Sequence, residues 1–156
     1  YFVYAKSPEK AKIIKLSRDT NRSMPHWVVE RTKMLVKGID NPKIAVLGMT
    51  YKGNIDDMRE SPSIEVVNEL KASGFNVVIN DPHVKNESYV SLDEAFDNAD
   101  IAVLLADHNE YKNLDYSSVA KKMRTPQLFD TKGILKVDDN TGLKIINYGN
   151  IYKYKG

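Results

Sequence analysis

The stretch Lys43–Pro62, KIAVLGMTYKGNIDDMRESP, is the most informative part of this 156-residue chain. It opens with the apolar run 44–47, which predicts a buried β-strand. A loop with two glycines and Lys52 follows, and Ser61-Pro62 then supplies an N-cap and a first-turn residue for a helix. Such a strand, loop and helix N-terminus form the usual place where an α/β protein holds a phosphate. The stretch therefore predicts ligand binding, because glycine lets backbone N–H groups approach an anion and lysine supplies charge.

The loop matches no standard phosphate-binding motif. It is neither G-x-G-x-x-G nor G-x-x-x-x-G-K-[ST], because Asn54 follows Gly53 where the second motif requires lysine. Taken alone, the loop is equally consistent with a structural β-loop-α turn. The choice between these readings depends on the rest of the chain.

Composition limits the function classes. The chain is 42% hydrophobic and 28% charged with a formal net charge of +2, and its lysines alternate with acids, so no basic stripe predicts nucleic-acid binding. No apolar run approaches membrane-spanning length. The chain contains no cysteine, which excludes disulfides and a cysteine nucleophile within it and is compatible with a cytoplasmic location. Its first residue, Tyr1, suggests a piece of a longer or processed protein.

Strands and helices alternate after Asn41-Pro42. We expect strands at 43–47, 76–80, 101–106, 127–130 and 144–148, with helices at 62–73, 92–98 and 116–123. This order predicts an α/β fold, a Rossmann-like, doubly wound parallel sheet of about five strands. We expect the strand order 3-2-1-4-5, with the reversal between the first and fourth strands. The loops 48–60 and 130–133 would then face each other, so that Lys52 and Lys132 converge on a crevice suited to a diphosphate.

A long helical segment precedes the sheet. Residues 8–37 read as helical, with a break or kink expected at Pro25 and a C-cap at Gly38. Apolar residues lie on more than one side of this segment, so a second subunit is one candidate to cover it. An ordinary amphipathic helix on the sheet is an equally good interpretation of the pattern.

Three other sets of polar residues have a structural interpretation beside a functional one. Asp81 could bind ribose, but it lies 33 residues after Gly48 and precedes proline, which favours a turn aspartate. The Asp56-Asp57 pair could act as acid and base, but helix capping or pairing with Arg59 is favoured. The histidines show no ligand spacing, so we predict no metal site. No nucleophile-base set is visible, and we predict no catalytic residue in this chain.

The segment GMTYKGNIDDMRESP resembles the signature G-[LF]-[AST]-[FY]-K-x-x-x-x-D-x-R-x-S-P of the UDP-glucose/GDP-mannose dehydrogenase family. The resemblance extends over nearly the whole chain and includes Asn21, Asn80-Asp81-Pro82, Leu92-Asp93-Glu94-Ala95 and Asp130-Thr131-Lys132-Gly133. It looks closest to the branch that oxidises UDP-N-acetyl-D-mannosamine, through Pro25-His26-Trp27-Val28, Asn54-Ile55-Asp56-Asp57 and Ala106-Asp107-His108.

This resemblance implies a two-step, NAD-dependent oxidation of a nucleotide-sugar primary alcohol to the carboxylate. It further implies that the catalytic cysteine and most of the NAD site lie in a part that precedes this chain. The chain then looks like a central helical dimerisation segment, 1–40, followed by a Rossmann-like UDP-sugar-binding domain, 41–156. On this interpretation the chain alone is inactive, and the parent enzyme is a homodimer that serves polysaccharide synthesis.

Four residues inherit a site role from the resemblance. Tyr51 and Lys52 match the aromatic-lysine pair that contacts the nucleotide sugar. Lys132 lies at or beside a substrate-contacting position that is often arginine, and Arg59 matches the arginine that reaches toward NAD. The alternatives that remain open are a UDP-glucose or GDP-mannose 6-dehydrogenase, a stand-alone nucleotide-binding module and a purely structural dimerisation domain.

Overall fold

The computed structural model describes residues 11–154 and contains one five-stranded sheet in which every neighbouring pair of strands is parallel. The strands are β1 Lys43–Leu47, β2 Asn76–Asn80, β3 Ile101–Leu104, β4 Gln127–Asp130 and β5 Lys144–Asn147. The α-helices are α1 Lys12–Leu35, α2 Pro62–Ala72, α3 Leu92–Phe96, α4 Asn109–Lys112 and α5 Tyr116–Lys122. Short 3₁₀ helices occupy Asp139–Thr141 and Ile151–Lys153. The predicted parallel α/β class is confirmed.

The predicted strand order is wrong. The observed order is β2-β1-β3-β4-β5, which places the reversal between β1 and β3. Strands at the centre of a parallel sheet are buried on both faces and read as continuous apolar runs. The fully buried β3, Ile-Ala-Val-Leu, meets this requirement, whereas β2 begins and ends with asparagine and lies at an edge. As a result, the loop after β3 lies between the loops that follow β1 and β4.

The core consists of two layers on either side of the sheet. Alternate residues of β1 point to opposite faces, with Ile44 and Val46 in one cluster and Ala45 and Leu47 in the other. The first cluster includes side chains from α1 and α2, among them Val28, Val29, Val66 and Leu70. The second includes side chains from α3, α4 and α5, among them Phe96, Tyr111 and Val119. Helices therefore cover both faces, as a doubly wound sheet requires.

Pro25 does not break the long helix. α1 runs continuously from Lys12 to Leu35 with Pro25 inside it, and the predicted start at residue 8 lies outside the described residues. A proline in a helix interior costs about 3 kcal/mol, because it removes a hydrogen bond and crowds the preceding turn. Pro25 is buried and α1 packs against α2, so tertiary packing offsets this cost. The turn after α1 ends at Gly38, whose φ of 85° is favourable for glycine.

An ion pair joins the buried Asp100 to the half-exposed Arg124. The Asp100 carboxylate accepts hydrogen bonds from the Arg124 guanidinium and from the backbone N–H of Lys43 at 2.8 Å. Burial alone would raise the pKa of Asp100, but these bonds outweigh it and lower the pKa. This cluster lies at the amino ends of the strands, far from the loops described below.

None of the helices within residues 11–154 is both long and apolar enough to cross a bilayer.

Candidate nucleotide-binding site

A groove of about 810 Å³ lies at the carboxyl ends of the strands, where open α/β sheets bind ligands. Lys52 and Lys132 both line it, so the structure brings together the two lysines that the sequence predicted to converge. Tyr51 lines it too, whereas Arg59 does not. Lys52 and Lys132 converge although the predicted strand order is wrong, because the loops after β1 and β4 both lie beside the loop after β3.

The groove has two kinds of lining. Its apolar and aromatic side chains come largely from α1 and the core, and its polar groups come from α1 and from the loops after β1, β3 and β4. The apolar part consists of Met24, Pro25, Val28, Val66, Leu105, Ile134 and Tyr148. The polar part includes Asn21, Thr50, Lys52, Asp107, Thr131 and Lys132. A groove of this kind suits a ligand with a flat ring and a negatively charged group.

The N-terminus of α2 also faces the groove. Pro62 and Ser63 are lining residues, and the N-cap Ser61 accepts the N–H of Ser63 through its side chain at 3.3 Å. The predicted N-cap is therefore confirmed. The positive end of the helix dipole adds to the charge of the two lysines and favours an anion here.

The two glycines of the β1 loop serve close packing, not an anion cradle. A Cβ on Gly48 would come within 2.4 Å of the Ala106 Cβ, and a Cβ on Gly53 within 2.5 Å of the Asp107 carbonyl oxygen. Their N–H groups are already used, that of Gly48 by the Asn80 carbonyl at 2.9 Å and that of Gly53 by Asp107 Oδ1 at 2.8 Å. The expectation that these glycines admit N–H groups to the anion is therefore wrong.

Three further N–H groups of this loop donate within the protein. Met49 donates to Asp81 Oδ2 at 2.6 Å, Tyr51 to the Asp57 carbonyl at 3.0 Å, and Asn54 to His108 Nδ1 at 2.8 Å. Five N–H groups of the loop, those of Gly48, Met49, Tyr51, Gly53 and Asn54, are thus bonded within the protein and are not available to an anion.

Asp81 is a structural residue. Its Oδ2 accepts from Met49 N–H and from His108 Nε2 at 3.1 Å, and its Oδ1 accepts from His83 N–H at 2.9 Å and Val84 N–H at 3.2 Å. Four donors occupy the four lone-pair positions of this carboxylate, so Asp81 has no lone pair left to accept a hydrogen bond from a ribose hydroxyl. Burial would raise the pKa of Asp81, but the hydrogen bonds from His108, Met49 and His83 lower it. The turn interpretation is confirmed.

Two histidines that are distant in sequence meet beside Asp81. The rings of His83 and His108 stack with centroids 4.7 Å apart and an interplanar angle of 27°, and His83 Nε2 lies 3.2 Å from Glu110. Sequence spacing gave no sign of this contact, because it depends on β2 and β3 ending at the same edge. The ligand atoms of His83, His108 and Glu110 lie within 4.8 Å of one another, but both nitrogens of His108 are already engaged, with Asn54 and Asp81. The pair is therefore poorly arranged to hold a metal ion.

The loop that carries Lys132 is built around a buried aspartate. Asp130 Oδ1 accepts the N–H groups of Lys132 at 2.9 Å and Gly133 at 2.8 Å, and Oδ2 accepts that of Leu135 at 2.9 Å. Side-chain acceptance of successive N–H groups is how aspartate fixes a tight turn. Burial opposes ionisation of the nearby Asp107, but hydrogen bonds and the charge of Lys132 lower its pKa. Lys132 thus lies within electrostatic reach of the β1 and β3 loops.

Arg59 lies outside the groove and pairs with its neighbour. Its guanidinium donates to both carboxylate oxygens of Asp57, at 2.9 and 2.7 Å, while its side chain remains 89% exposed. Hydrogen bonds from Arg59 lower the pKa of Asp57 to about 2. The predicted pairing of this carboxylate with Arg59 is confirmed, and the exposed guanidinium faces solvent.

A second groove of about 490 Å³ adjoins the first and shares Asn21, Pro25, Tyr51 and Pro62 with it. The two grooves meet at Tyr51, which is 55% exposed. The sequence did not single out Asp107 or Tyr148 as lining residues, and it placed Thr131 at the crevice only as a member of the loop 130–133. One signal was available, since each of them lies within a few residues of the carboxyl end of a predicted strand.

A model of the UDP-binding domain of the UDP-glucose/GDP-mannose dehydrogenase family matches residues 45–137, more than half of the chain. The chain belongs to this family. The matched region carries Tyr51, Lys52, Arg59 and Lys132, which are the four residues that the resemblance singled out.

The chain is similar to several dehydrogenases that are named for their sugar nucleotides. The UDP-N-acetyl-D-mannosamine dehydrogenase of Methanocaldococcus jannaschii is 42% identical over 96% of this chain. An NDP-N-acetyl-D-galactosaminuronic acid dehydrogenase of Ralstonia nicotianae is 32% identical over 86% of it. The solved UDP-N-acetyl-mannosamine dehydrogenase of Staphylococcus aureus covers 99% of the chain with a TM-score of 0.90 and 38% identity.

The chain spans about a third of the length of these family members. It corresponds to 36% of the Methanocaldococcus protein, 33% of the Ralstonia protein and 37% of the Staphylococcus chain. The fold and the family domain of this chain therefore correspond to one part of these longer proteins.

Proposed function

We propose that this chain binds the UDP moiety of UDP-N-acetyl-D-mannosamine as the C-terminal part of an NAD-dependent dehydrogenase that forms the uronic acid. The observation that carries the proposal is the convergence of Lys52 and Lys132 on one groove within the matched UDP-binding domain. The choice of sugar is supported by the mannosamine dehydrogenases among its relatives.

The charges of the groove suit a diphosphate. Two lysines and the N-terminus of α2 border it, whereas Asp107 is the acid among its lining residues. Asp107 accepts the N–H of Gly53, so one of its oxygens is already committed. We assign the diphosphate to Lys52 and Lys132, since point charges on flexible stems can follow both phosphates.

The apolar lining suits the base. Tyr148 is partly exposed in the groove, and its ring packs against Trp27 at 5.3 Å and Phe129 at 6.2 Å between centroids. An aromatic ring fixed from behind presents a rigid face on which a pyrimidine can stack. We assign the uracil ring to this part of the groove, and Tyr51 to the side on which the sugar leaves it.

The proposed contribution to catalysis is positional. Holding the UDP at a distance from the reacting carbon uses remote binding energy to orient the sugar C6 hydroxyl. The family resemblance assigns the oxidation itself to a cysteine and to NAD, which accepts hydride. This chain has no cysteine, so we place no reacting group in it.

The chain lacks two common features of a dinucleotide site. The sequence contains no G-x-G-x-x-G, and Asp81 has its lone pairs occupied by four protein donors. The one residue that we assign toward NAD is Arg59, whose exposed guanidinium could leave Asp57 for an anion carried by a neighbouring domain. We propose that NAD is bound mainly by that other part of the enzyme.

We further propose that residues 1–40 form a dimerisation segment and that 41–156 form the UDP-binding domain. Among the described residues, the part of α1 that precedes Pro25 is largely exposed to solvent, including Ile13 at 80% and Leu16 at 68%. Apolar side chains at a spacing of three residues share one helix face and gain free energy when a partner covers them. The cysteine-free chain fits a cytoplasmic location for the enzyme, which we also propose.

Calorimetric titration of the 156-residue chain with UDP, UMP and GDP tests the assignment. We expect UDP to bind most tightly, UMP more weakly because it lacks one phosphate, and GDP more weakly because a purine exceeds the apolar lining. Equal binding of GDP and UDP would favour the GDP-mannose alternative. A substrate panel on the complete enzyme then separates UDP-N-acetylmannosamine from UDP-glucose.

A further inference from the structure

His108 lies completely buried behind the loop that carries Tyr51 and Lys52. It follows β3 and belongs to neither of the two grooves, so it cannot touch a ligand held in them. Its ring is nevertheless hydrogen-bonded to the ligand-binding loop on one side and to Asp81 on the other. A buried, fully bonded side chain in this position calls for a role beyond packing.

The hydrogen bonds define the tautomer of His108. Nδ1 lies 2.8 Å from the backbone nitrogen of Asn54, and a backbone N–H can only donate, so Nδ1 is the acceptor and carries no proton. The proton is therefore on Nε2, which lies 3.1 Å from Asp81 Oδ2 and 3.3 Å from Thr50 Oγ1. Nδ1 thus bonds the backbone of the loop, and Nε2 bonds the side chains of Asp81 and Thr50.

Asp81 in turn is fixed from the β2 side of the sheet. Its Oδ1 accepts the N–H groups of His83 and Val84, two and three residues further along the chain, and its Oδ2 also accepts the N–H of Met49. The chain Asp81–His108–Asn54 therefore connects the carboxyl ends of β2 and β3 to the loop after β1. Fully satisfied buried networks of this kind specify a single conformation.

Asn54 is the point at which the network reaches the loop. Its backbone has a φ of 62°, a left-handed conformation that non-glycine residues adopt only when their surroundings hold them. Two bonds hold it: its N–H donates to His108, and its side-chain Oδ1 accepts the N–H of Asn109 at 2.9 Å. Within the loop, Thr50 Oγ1 donates to the Lys52 carbonyl at 2.7 Å. The backbone on both sides of Lys52 is thus fixed.

We propose that His108 is a positioning residue for the nucleotide site, which acts through Asn54 to hold Tyr51 and Lys52 in the conformation that binds UDP. This inference rests on the proposed function. It assigns the two nitrogens different effects, since the acceptor Nδ1 holds the loop backbone at Asn54, whereas the donor Nε2 orients the ring against the side chains of Asp81 and Thr50. A role limited to packing would make no such distinction.

Two amide substitutions separate the nitrogens. The oxygen of the His108→Asn side chain can replace Nδ1 as the acceptor for Asn54, whereas the nitrogen of His108→Gln can replace Nε2 as the donor to Asp81. The titrations use the 156-residue chain and UDP, with a thermal melt of each variant. Asp100→Asn is the control for stability alone, because Asp100 is buried in the Arg124 cluster at the other end of the sheet.

We expect His108→Gln to weaken UDP binding about tenfold, as loss of one buried hydrogen bond implies, and His108→Asn to weaken it less than about threefold. We expect all three variants to melt at a lower temperature, and Asp100→Asn to bind UDP like the wild type. Equal UDP affinity in the two His108 variants, or affinities that merely follow the melting temperatures, would overturn the positioning role. Failure of the wild type to bind UDP would instead overturn the proposed function.

A measurement on the wild type keeps the inference testable if both variants fail to fold. Long-range ¹H–¹⁵N spectra report which imidazole nitrogen carries the proton. We expect a neutral ring protonated at Nε2, and we expect the Asn54 amide and His108 Nδ1 signals to shift with UDP along one binding curve. Protonation at Nδ1, or a shift at Lys52 with no response at Asn54 and His108, would overturn the inference.

Discussion

Gly48 lies directly against Ala106: a Cβ at position 48 would come within 2.4 Å of the Ala106 Cβ and 2.8 Å of its backbone nitrogen. This contact lets the chain leave β1 close beside the loop after β3. The approach brings Lys52 and Asp107 to the same groove. The glycine that first suggested a phosphate loop is therefore required by the packing between two loops.

We expect Gly48→Ala to destabilise the chain by at least about 3 kcal/mol, because the added methyl group both clashes with backbone and occupies a positive φ. Gly74→Ala is the matched control. Gly74 has a similar φ, 83° against 91°, but no atom lies within 4 Å of its Cβ position, so we expect a loss of about 1 kcal/mol. Urea unfolding measures both. Equal losses would show that Ala106 yields to the methyl group.

We expect Lys52→Ala and Lys132→Ala each to weaken UDP binding about tenfold, because each removes one positive charge from the proposed diphosphate site. In the complete enzyme the same changes should raise KM for the nucleotide sugar. The loss should be smaller for UMP, and salt should weaken the wild type more than either variant. Lys71→Ala, on the exposed end of α2, is the control and should change nothing. Unchanged kinetics in Lys52→Ala would contradict the assignment of Lys52.

The Asp57 carboxylate should titrate near pH 2 in the wild type. Its pKa is lowered from 3.8 to about 2 by Arg59, so its pairing is complete above pH 4 and is lost as the pH falls through about 2. Carbon-13 NMR of the side-chain carboxyl group measures this midpoint. In Arg59→Ala we expect the midpoint to return toward 3.8. A wild-type midpoint near 4 would show that Arg59 does not hold Asp57 in solution.

We expect the chain to form a dimer through the exposed part of α1, and Ile13→Glu to separate it into monomers. Lys12→Glu serves as the control, because Lys12 is exposed and adjacent to Ile13. This substitution changes the net charge more than Ile13→Glu does, but it removes no apolar side chain. Sedimentation velocity at micromolar concentration distinguishes the species. A monomeric wild type would contradict the proposed dimerisation segment.

Much of the fold was predictable because its elements have strong local signals. The bounds predicted for β1, β2 and β4 match the structure, and Ser61 caps α2 as expected. The strand order was not predicted, since it depends on which apolar strand packs most favourably at the centre of the sheet. The continuity of α1 through Pro25 was not predicted either, because packing against α2 outweighs the local preference.

The site was predictable in its lysines and less so in its supporting residues. Lys52 and Lys132 follow predicted strands, and parallel strands place such positions at one edge. The Asp81–His108–Asn54 network could not be read from the sequence, because its members are separated by 27 and 54 residues and meet only through the sheet. Sequence patterns show which residues leave the strands, whereas the tertiary structure decides which of them meet.

An NMR titration of the 156-residue chain with UDP, GDP and NAD, following assigned backbone amides, tests the proposed nucleotide site most directly. We expect shifts confined to the loops 48–60 and 105–108, the loop 130–133 and the adjoining face of α1, with UDP the strongest ligand and NAD the weakest. No shift in these loops with any of the three ligands, or shifts in another part of the chain, would contradict the claim that Lys52 and Lys132 form a nucleotide site.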